Sequence, residues 1–357
     1  MMADRSPVGV AGAARLPLMT RGVDEGPVRV TFRAGKVAGE WPERHARGEV
    51  PGVWPYGLEG LESRLAATLT YTGRPTRMQR ARGRLLPPLL PRTEHAVTWD
   101  EITAYDVSLT RRPARLTSGV IWLTDQLARG EQLDGMRRVL RRADALWVLS
   151  QAQIEPLEKA LGSGSPPVSF VRFGVDPVFF SAHGWPDRPR ILSIGGDRDR
   201  DTATLYAALD RVHRARGEVD LVVQTSSTLT PPSGVSTFAH VPHLALRDLY
   251  RTATTVAIAT RPNLHVSGMT VSLEAMATGR PVVITDSPGM ADYVPDQIAA
   301  HVTPPGDPDA LADALIALVD DPDRARAMGR AAAAHVRRNH TATAMSERIA
   351  EVVRSGR

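Results

Sequence analysis

Short apolar runs alternate with stretches of helical period along most of this chain, and the second half shows it more clearly. Residues 190–194, 219–224, 254–260 and 281–285 have the β-branched, apolar character of buried strands. Residues 202–216, 246–252, 308–320 and 322–339 carry apolar positions at helical spacing, and 342–355 closes the chain in the same way. In the first half, 28–32, 66–71, 95–99, 116–124 and 145–149 read as strands. Residues 58–65, 135–142 and 151–161 read as helices, the last stopped by Gly162, and 35–57 reads as a long loop punctuated by Pro42, Pro51 and Pro55. Strands alternating with helices predict parallel α/β sheets, and 357 residues predict two domains. Residues 1–27, rich in Gly, Ala and Arg without period, read as a tail.

The stretch SGMTVSLEAMATGRPVVITD, residues 267–286, is the most informative. It follows one buried strand, opens a helix at Ser-Gly and runs into a second strand. A helix N-terminus presents unpaired N–H groups and about half a positive charge, which suits phosphate. Gly268 lets a ligand approach the backbone, so phosphates are expected at Gly268, Met269 and Thr270. Ser267, Thr270 and Glu274 share one helix face. Glu274, about two turns in, is placed to accept hydrogen bonds from a hydroxyl pair. Phosphate at the tip and hydroxyls deeper in describe the diphosphate and ribose of a nucleotide.

Composition narrows the alternatives. There is no cysteine, hence no disulfide and no thiolate chemistry. No apolar run is long enough to span a membrane, and residues 1–19 lack the apolar core of a secretory signal, so a cytoplasmic protein is expected. The formal charge of +5 is uneven. Residues 1–175 hold 25 Lys and Arg against 18 Asp and Glu, and residues 176–357 hold 19 against 21. The basic residues are nearly all arginine, only Lys36 and Lys159 being lysine, as in chains from GC-rich genomes. Residues 77–92, with Arg77, Arg80, Arg82 and Arg84 around LLPPLL, form a candidate peripheral contact with an anionic membrane surface, or a solvated loop. Aromatic residues are not interleaved there, which argues against nucleic acid.

Residues 267–286 resemble the C-terminal half of GT-B glycosyltransferases of the GT4-like group. So do ADALWVLS (143–150), FGVDP (173–177) and ILSIGGDRDR (191–200), which are similar to that group's first-domain strand, interdomain hinge and phosphate loop. The resemblance implies two Rossmann-like domains, an acceptor-side one over 28–175 and a nucleotide-sugar-binding one over 176–340, with 341–357 crossing back to the first. It implies transfer of a sugar from a nucleotide diphosphate to a hydroxyl of a small-molecule or lipid-linked acceptor, with no metal or other cofactor. Arg200 and then Arg198 are expected on the diphosphate, although Asp197, Asp199 and Asp201 are placed to neutralise them. Base contacts are expected near Val241.

Two departures matter. Val266 stands where the family often has a glutamate that binds the donor sugar, which leaves the sugar and retention of configuration open; His265 and Asn263 are the neighbouring candidates. In the first domain, Asp125 falls where the family has a histidine. Asp125 and Asp100 are both expected at strand ends, as candidate bases for the acceptor hydroxyl or as helix caps. Trp54, Tyr56 and Gly57 are candidates for the acceptor side, with packing under the loop as the alternative. A sugar-nucleotide epimerase, an inverting transferase of the same fold and a non-catalytic nucleotide-sugar-binding partner are the competing functions. A Gly-x-Gly-x-x-Gly dinucleotide loop is absent, which excludes the usual oxidoreductase pattern.

Overall fold

Twelve parallel strands, among the residues that the computed structural model describes (26–35, 40–80 and 93–356), form two six-stranded sheets. The first contains β1 (Val28–Arg33), β2 (Thr68–Thr72), β3 (His95–Thr98), β4 (Arg115–Val120), β5 (Ala145–Val148) and β6 (Val168–Phe170), in the order β2-β1-β3-β4-β5-β6. The second contains β7 (Arg190–Ser193), β8 (Asp220–Gln224), β9 (Val235–Phe238), β10 (Thr255–Ile258), β11 (Val282–Thr285) and β12 (Ala300–Thr303), in the order β12-β11-β10-β7-β8-β9. In this second sheet the strand order reverses between β7 and β10, and ligands bind such open sheets outside the strand C-termini at that reversal. Helices cover both faces, so β5, β10 and β11 are buried at every position and read as continuous apolar runs.

Helices α1 (Trp41–Ala46), α2 (Gly60–Leu65), α3 (Glu101–Thr110), α4 (Leu123–Ala128), α5 (Asp134–Leu140) and α6 (Ile154–Leu161) belong to the first half. Helices α7 (Thr202–Ala215), α8 (His243–Thr252), α9 (Met269–Ala277), α10 (Pro308–Asp320) and α11 (Pro322–Asn339) belong to the second. The last, α12 (Ala342–Ser355), returns to the first half, packing on α2 and β5. The two crossings lie side by side. Val175 pairs with Thr341 in an isolated parallel bridge, with Val175 N–H donating to the His340 carbonyl (2.9 Å) and Ala342 N–H to the Val175 carbonyl (3.0 Å).

The bounds of α10 and α11 agree with the sequence because each begins with proline behind a capping aspartate, Asp307 or Asp321. Elsewhere the structure corrects the reading. The expected loop 35–57 contains α1, where Pro42 starts a helix rather than breaking one. Asp125 does not end a strand: β4 stops at Val120 and Asp125 sits in the first turn of α4. The strands β6, β9 and β12, all at sheet edges and only three or four residues long, carried too little pattern to be predicted. Residues 1–25 and 81–92, which hold most of the expected tail and most of the arginine-rich stretch, lie outside the described residues. Among the described residues no helix is long and apolar enough to cross a membrane.

Candidate active site

The loops after β7 and β10 meet at the tip of α9. Gly268 caps α9 in the left-handed conformation (φ 96°), and Gly195 lies opposite at φ 150°. The Arg200 guanidinium is held between them. A Cβ at Gly195 would come within 2.3 Å of Arg200 Nε, and one at Gly268 within 3.0 Å of Arg200 Nη1, so glycine at both positions makes room for the cation. The Arg200 backbone is pinned by a bridge to Thr260, and Asp201 N–H donates to the Ala259 carbonyl (2.9 Å). Arg200 Nε and Nη1 are shielded from solvent and make no hydrogen bond. Burial lowers the pKa of this guanidinium, opposed by the charge of Asp197 and then by Tyr250. A cation without a protein partner, at the positive end of a helix, is a site for an anion.

The aspartates expected to neutralise the arginines are engaged elsewhere. Asp201 caps α7, accepting from Thr204 N–H (3.1 Å). Asp199 accepts from Arg129 Nη1 of the first domain (3.1 Å), and Asp197 accepts from the Ser267 hydroxyl (3.0 Å). Arg198 is exposed and pairs with Glu131 of the first half (3.5 Å).

Two turns into α9, Glu274 is buried and accepts from the Tyr250 hydroxyl (2.9 Å). Burial pushes its carboxyl up to about 7, and the Tyr250 hydrogen bond opposes that rise. Thr270 and Glu274 line a cavity of about 250 Å³ at the junction of the two halves, together with Tyr56, Gly57, Phe173 and His243. Ser267, expected on the same face, turns into Asp197 instead. Its backbone N–H donates to Asn263 Oδ1 (2.8 Å), which staples the loop, and Met269 packs in the core as the first residue of α9. Val241 precedes α8 and does not line the cavity, whereas His243, two residues on, does and meets Trp41 of α1 edge-on at 5.7 Å.

On the first-domain side, Tyr56 stacks on Trp99 with centroids 4.1 Å apart and rings 9° from parallel, and its edge faces Phe173. Trp54 is instead part of the core, with its backbone N–H donating to Glu59 (3.3 Å), and it does not line the cavity. Asp100 caps α3, accepting from Thr103 N–H (2.6 Å). Asp125 caps nothing. Its Oδ1 accepts from Leu264 N–H (2.8 Å), and its Oδ2 accepts from His265 N–H (3.2 Å) and lies 2.8 Å from His265 Nδ1. Buried Glu101 accepts from Ile121 and Trp122 N–H, both at 2.8 Å, and thereby fixes the turn that delivers Asp125. Sequence reasoning passed over Tyr250, Glu101, Arg129 and the Asp197–Ser267 bond. Their partners lie far along the chain, and no spacing announces them.

Asp197, Asp199 and His265 place ligand atoms within 4.8 Å of one another, which are metal-ligand types at metal-ligand spacing. The cluster also contains its own counter-charges. Arg129 lies on Asp199, and His265 faces Asp125 and Asp197.

Residues 188–321 match the family described as glycosyl transferases group 1. No curated protein matches the sequence. Among solved structures, a sucrose-phosphate synthase from Thermosynechococcus elongatus superposes with a TM-score of 0.66 at 14% identity, covering 92% of this chain and 98% of that one. Anabaena HepE, in complex with UDP and glucose, superposes with a TM-score of 0.66 at 13% identity, over 92% of this chain and 100% of its own. A glycosyltransferase from Rickettsia africae gives 0.62 at 12% identity, over 94% and 99%.

Proposed function

We propose that this protein, a glycosyltransferase by the group 1 match of its second domain and GT-B by fold, moves a sugar from a nucleoside-diphosphate donor to a hydroxyl of a small-molecule or lipid-linked acceptor. The observation that carries the reading is the unpartnered Arg200 guanidinium at the tip of α9, with the buried carboxyl of Glu274 two turns deeper. The diphosphate takes the guanidinium and the helix N-terminus, and the ribose hydroxyls take Glu274. That HepE binds UDP in the same fold supports the nucleotide part of the reading.

In this reading the chemistry follows from charge. As the bond between the anomeric carbon and the diphosphate breaks, negative charge grows on the leaving oxygen. Arg200 and the α9 dipole stabilise it, and removal of one such contact typically costs ~10²–10³ in rate. Neither first-domain carboxylate is an obvious base: both Asp125 oxygens accept bonds from the second domain, and Asp100 caps a helix. The proton of the acceptor hydroxyl then goes to the departing phosphate. No metal is required for these steps. The test is a thermal-shift panel of UDP-, GDP- and dTDP-sugars followed by product analysis. Stabilisation by one base class and transfer of its sugar support the reading. A panel in which no nucleotide raises the midpoint refutes it.

A further inference from the structure

One chain of contacts links the two domains and ends at the loop that carries Arg200. It starts in the first domain at Asp125, which grips the backbone and imidazole of residues 264–265. It passes through His265, which is only 5% exposed, and whose Nε2 has no hydrogen-bond partner and lies 3.6 Å from Asp197 Oδ2. Asp197 Oδ1 accepts from the Ser267 hydroxyl (3.0 Å) and from Asp199 N–H (2.8 Å), and the Asp197 carbonyl accepts from Arg200 N–H (3.1 Å).

We infer that His265 is a positioning residue for the donor diphosphate: as an imidazolium between Asp125 and Asp197, it lets the first domain set the loop that carries Arg200 and the tip of α9. The inference rests on the donor reading above.

The chemistry of the ring supports the charged form. A neutral imidazole has one donor and one acceptor nitrogen. Here both nitrogens face carboxylates, at 2.8 and 3.6 Å, and Asp199 Oδ2 stands 3.9 Å from Nδ1. An acceptor nitrogen turned toward a carboxylate is repelled, so only the imidazolium suits both sides. The local charges agree: Arg129 pairs with Asp199, and a protonated His265 stands between Asp125 and Asp197. Against burial, which lowers it, the hydrogen bond to Asp125 and the nearby Asp197 carboxylate push His265 up to about 9. The same contacts hold Asp125 and Asp197 below the usual carboxylate range, against burial, which raises each. Arg200 makes no bond of its own through Nε or Nη1, so its placement depends on this loop.

The experiment measures UDP, GDP and dTDP affinity by calorimetry, without acceptor, for the full chain and for Asp125→Asn, His265→Gln and the double variant. Thermal midpoints are recorded alongside. Each single change is expected to weaken the bound diphosphate ~10-fold. The double variant is expected to be no weaker than the poorer single one, as for residues acting in one chain. Histidine-ring NMR of the wild type should show His265 doubly protonated at neutral pH, which also carries the test if Asp125→Asn fails to fold. Wild-type binding with unchanged affinity in both single variants overturns the positioning role and leaves the donor reading standing. A lowered midpoint with unchanged affinity overturns it as well, by making the contact merely structural. A wild type that binds none of the three nucleotides overturns both readings.

Discussion

Replacing Arg200 with methionine should move stability and binding in opposite directions. The guanidinium lies between Gly195 and Gly268, and its buried Nε and Nη1 have no partner. Leaving a buried donor unsatisfied costs about 1–3 kcal/mol, and a charged hydrogen bond gained on binding returns about 1.5–3 kcal/mol. Methionine keeps the unbranched stem and discards the charge, so the ligand-free protein should gain most of the first quantity. For a folding unit of this size, that gain corresponds to a rise of roughly 2–12 °C in thermal midpoint. The diphosphate should lose the second quantity, a weakening of ~10–150-fold. Differential scanning fluorimetry without ligand and calorimetry with UDP read the two effects separately. A midpoint that falls by several degrees in Arg200→Met would show that the guanidinium holds the fold together. Unchanged UDP affinity would remove it from the donor site.

Three further outcomes follow from the same geometry. Glu274 has its carboxyl raised from 4.5 to about 7 in the folded protein. The native state therefore holds a proton that the unfolded chain releases, and this group costs stability as pH rises from about 4.5 to about 7. Glu274→Gln should flatten that part of the midpoint-versus-pH curve and raise the midpoint at about pH 8. It should also abolish a gain in UDP affinity between about pH 6 and about pH 8, and parallel curves for the two proteins would refute the assignment. Tyr293→Phe leaves two buried backbone groups unpaired where the domains join, since its hydroxyl donates to the Leu149 carbonyl (2.5 Å) and accepts from Phe173 N–H (3.1 Å). The expected loss is about 1–3 kcal/mol, measured by urea unfolding, and an unchanged midpoint would count against it. UDP affinity and sugar transfer should survive excess chelator, because the acids near His265 already face Arg129 and the imidazole; a tenfold loss of either would contradict this.

The second-domain half of the candidate site was the easier to place from the sequence because its signals are local. Ser267 to Glu274 is a continuous run whose helical spacing can be counted, and Arg200 follows a buried strand by a few residues. Even there, spacing put Ser267 on one face with Thr270 and Glu274, whereas its hydroxyl turns into Asp197, 70 residues away in sequence. The first-domain side was harder for the same reason. The role of Asp125 is set by Leu264 and His265, which the fold brings across the cleft, and a single sequence carries no trace of that pairing. Tyr56 and Trp54 look equivalent in the sequence. The left-handed backbone at Tyr56 (φ 60°) turns its ring onto Trp99 at the cavity, and Trp54 goes into the core.

The return of α12 to the first half bears on how the chain assembles. Arg64 pairs with Glu347, Arg354 donates to the Arg64 carbonyl (2.8 Å), and Arg115 donates to the Gly356 carbonyl (2.6 Å). Ile349, Ala350, Val352 and Val353 are buried in the cluster that also contains Leu61, Ala145 and Trp147. On the ribosome, the first sheet emerges long before residues 342–355, so its α2–β5 face stays uncovered while the whole second domain is made. That face is exposed apolar surface during synthesis, where aggregation competes with folding. Clipping the chain just before Ala342 would accordingly damage the domain made first and leave the one made second nearly intact.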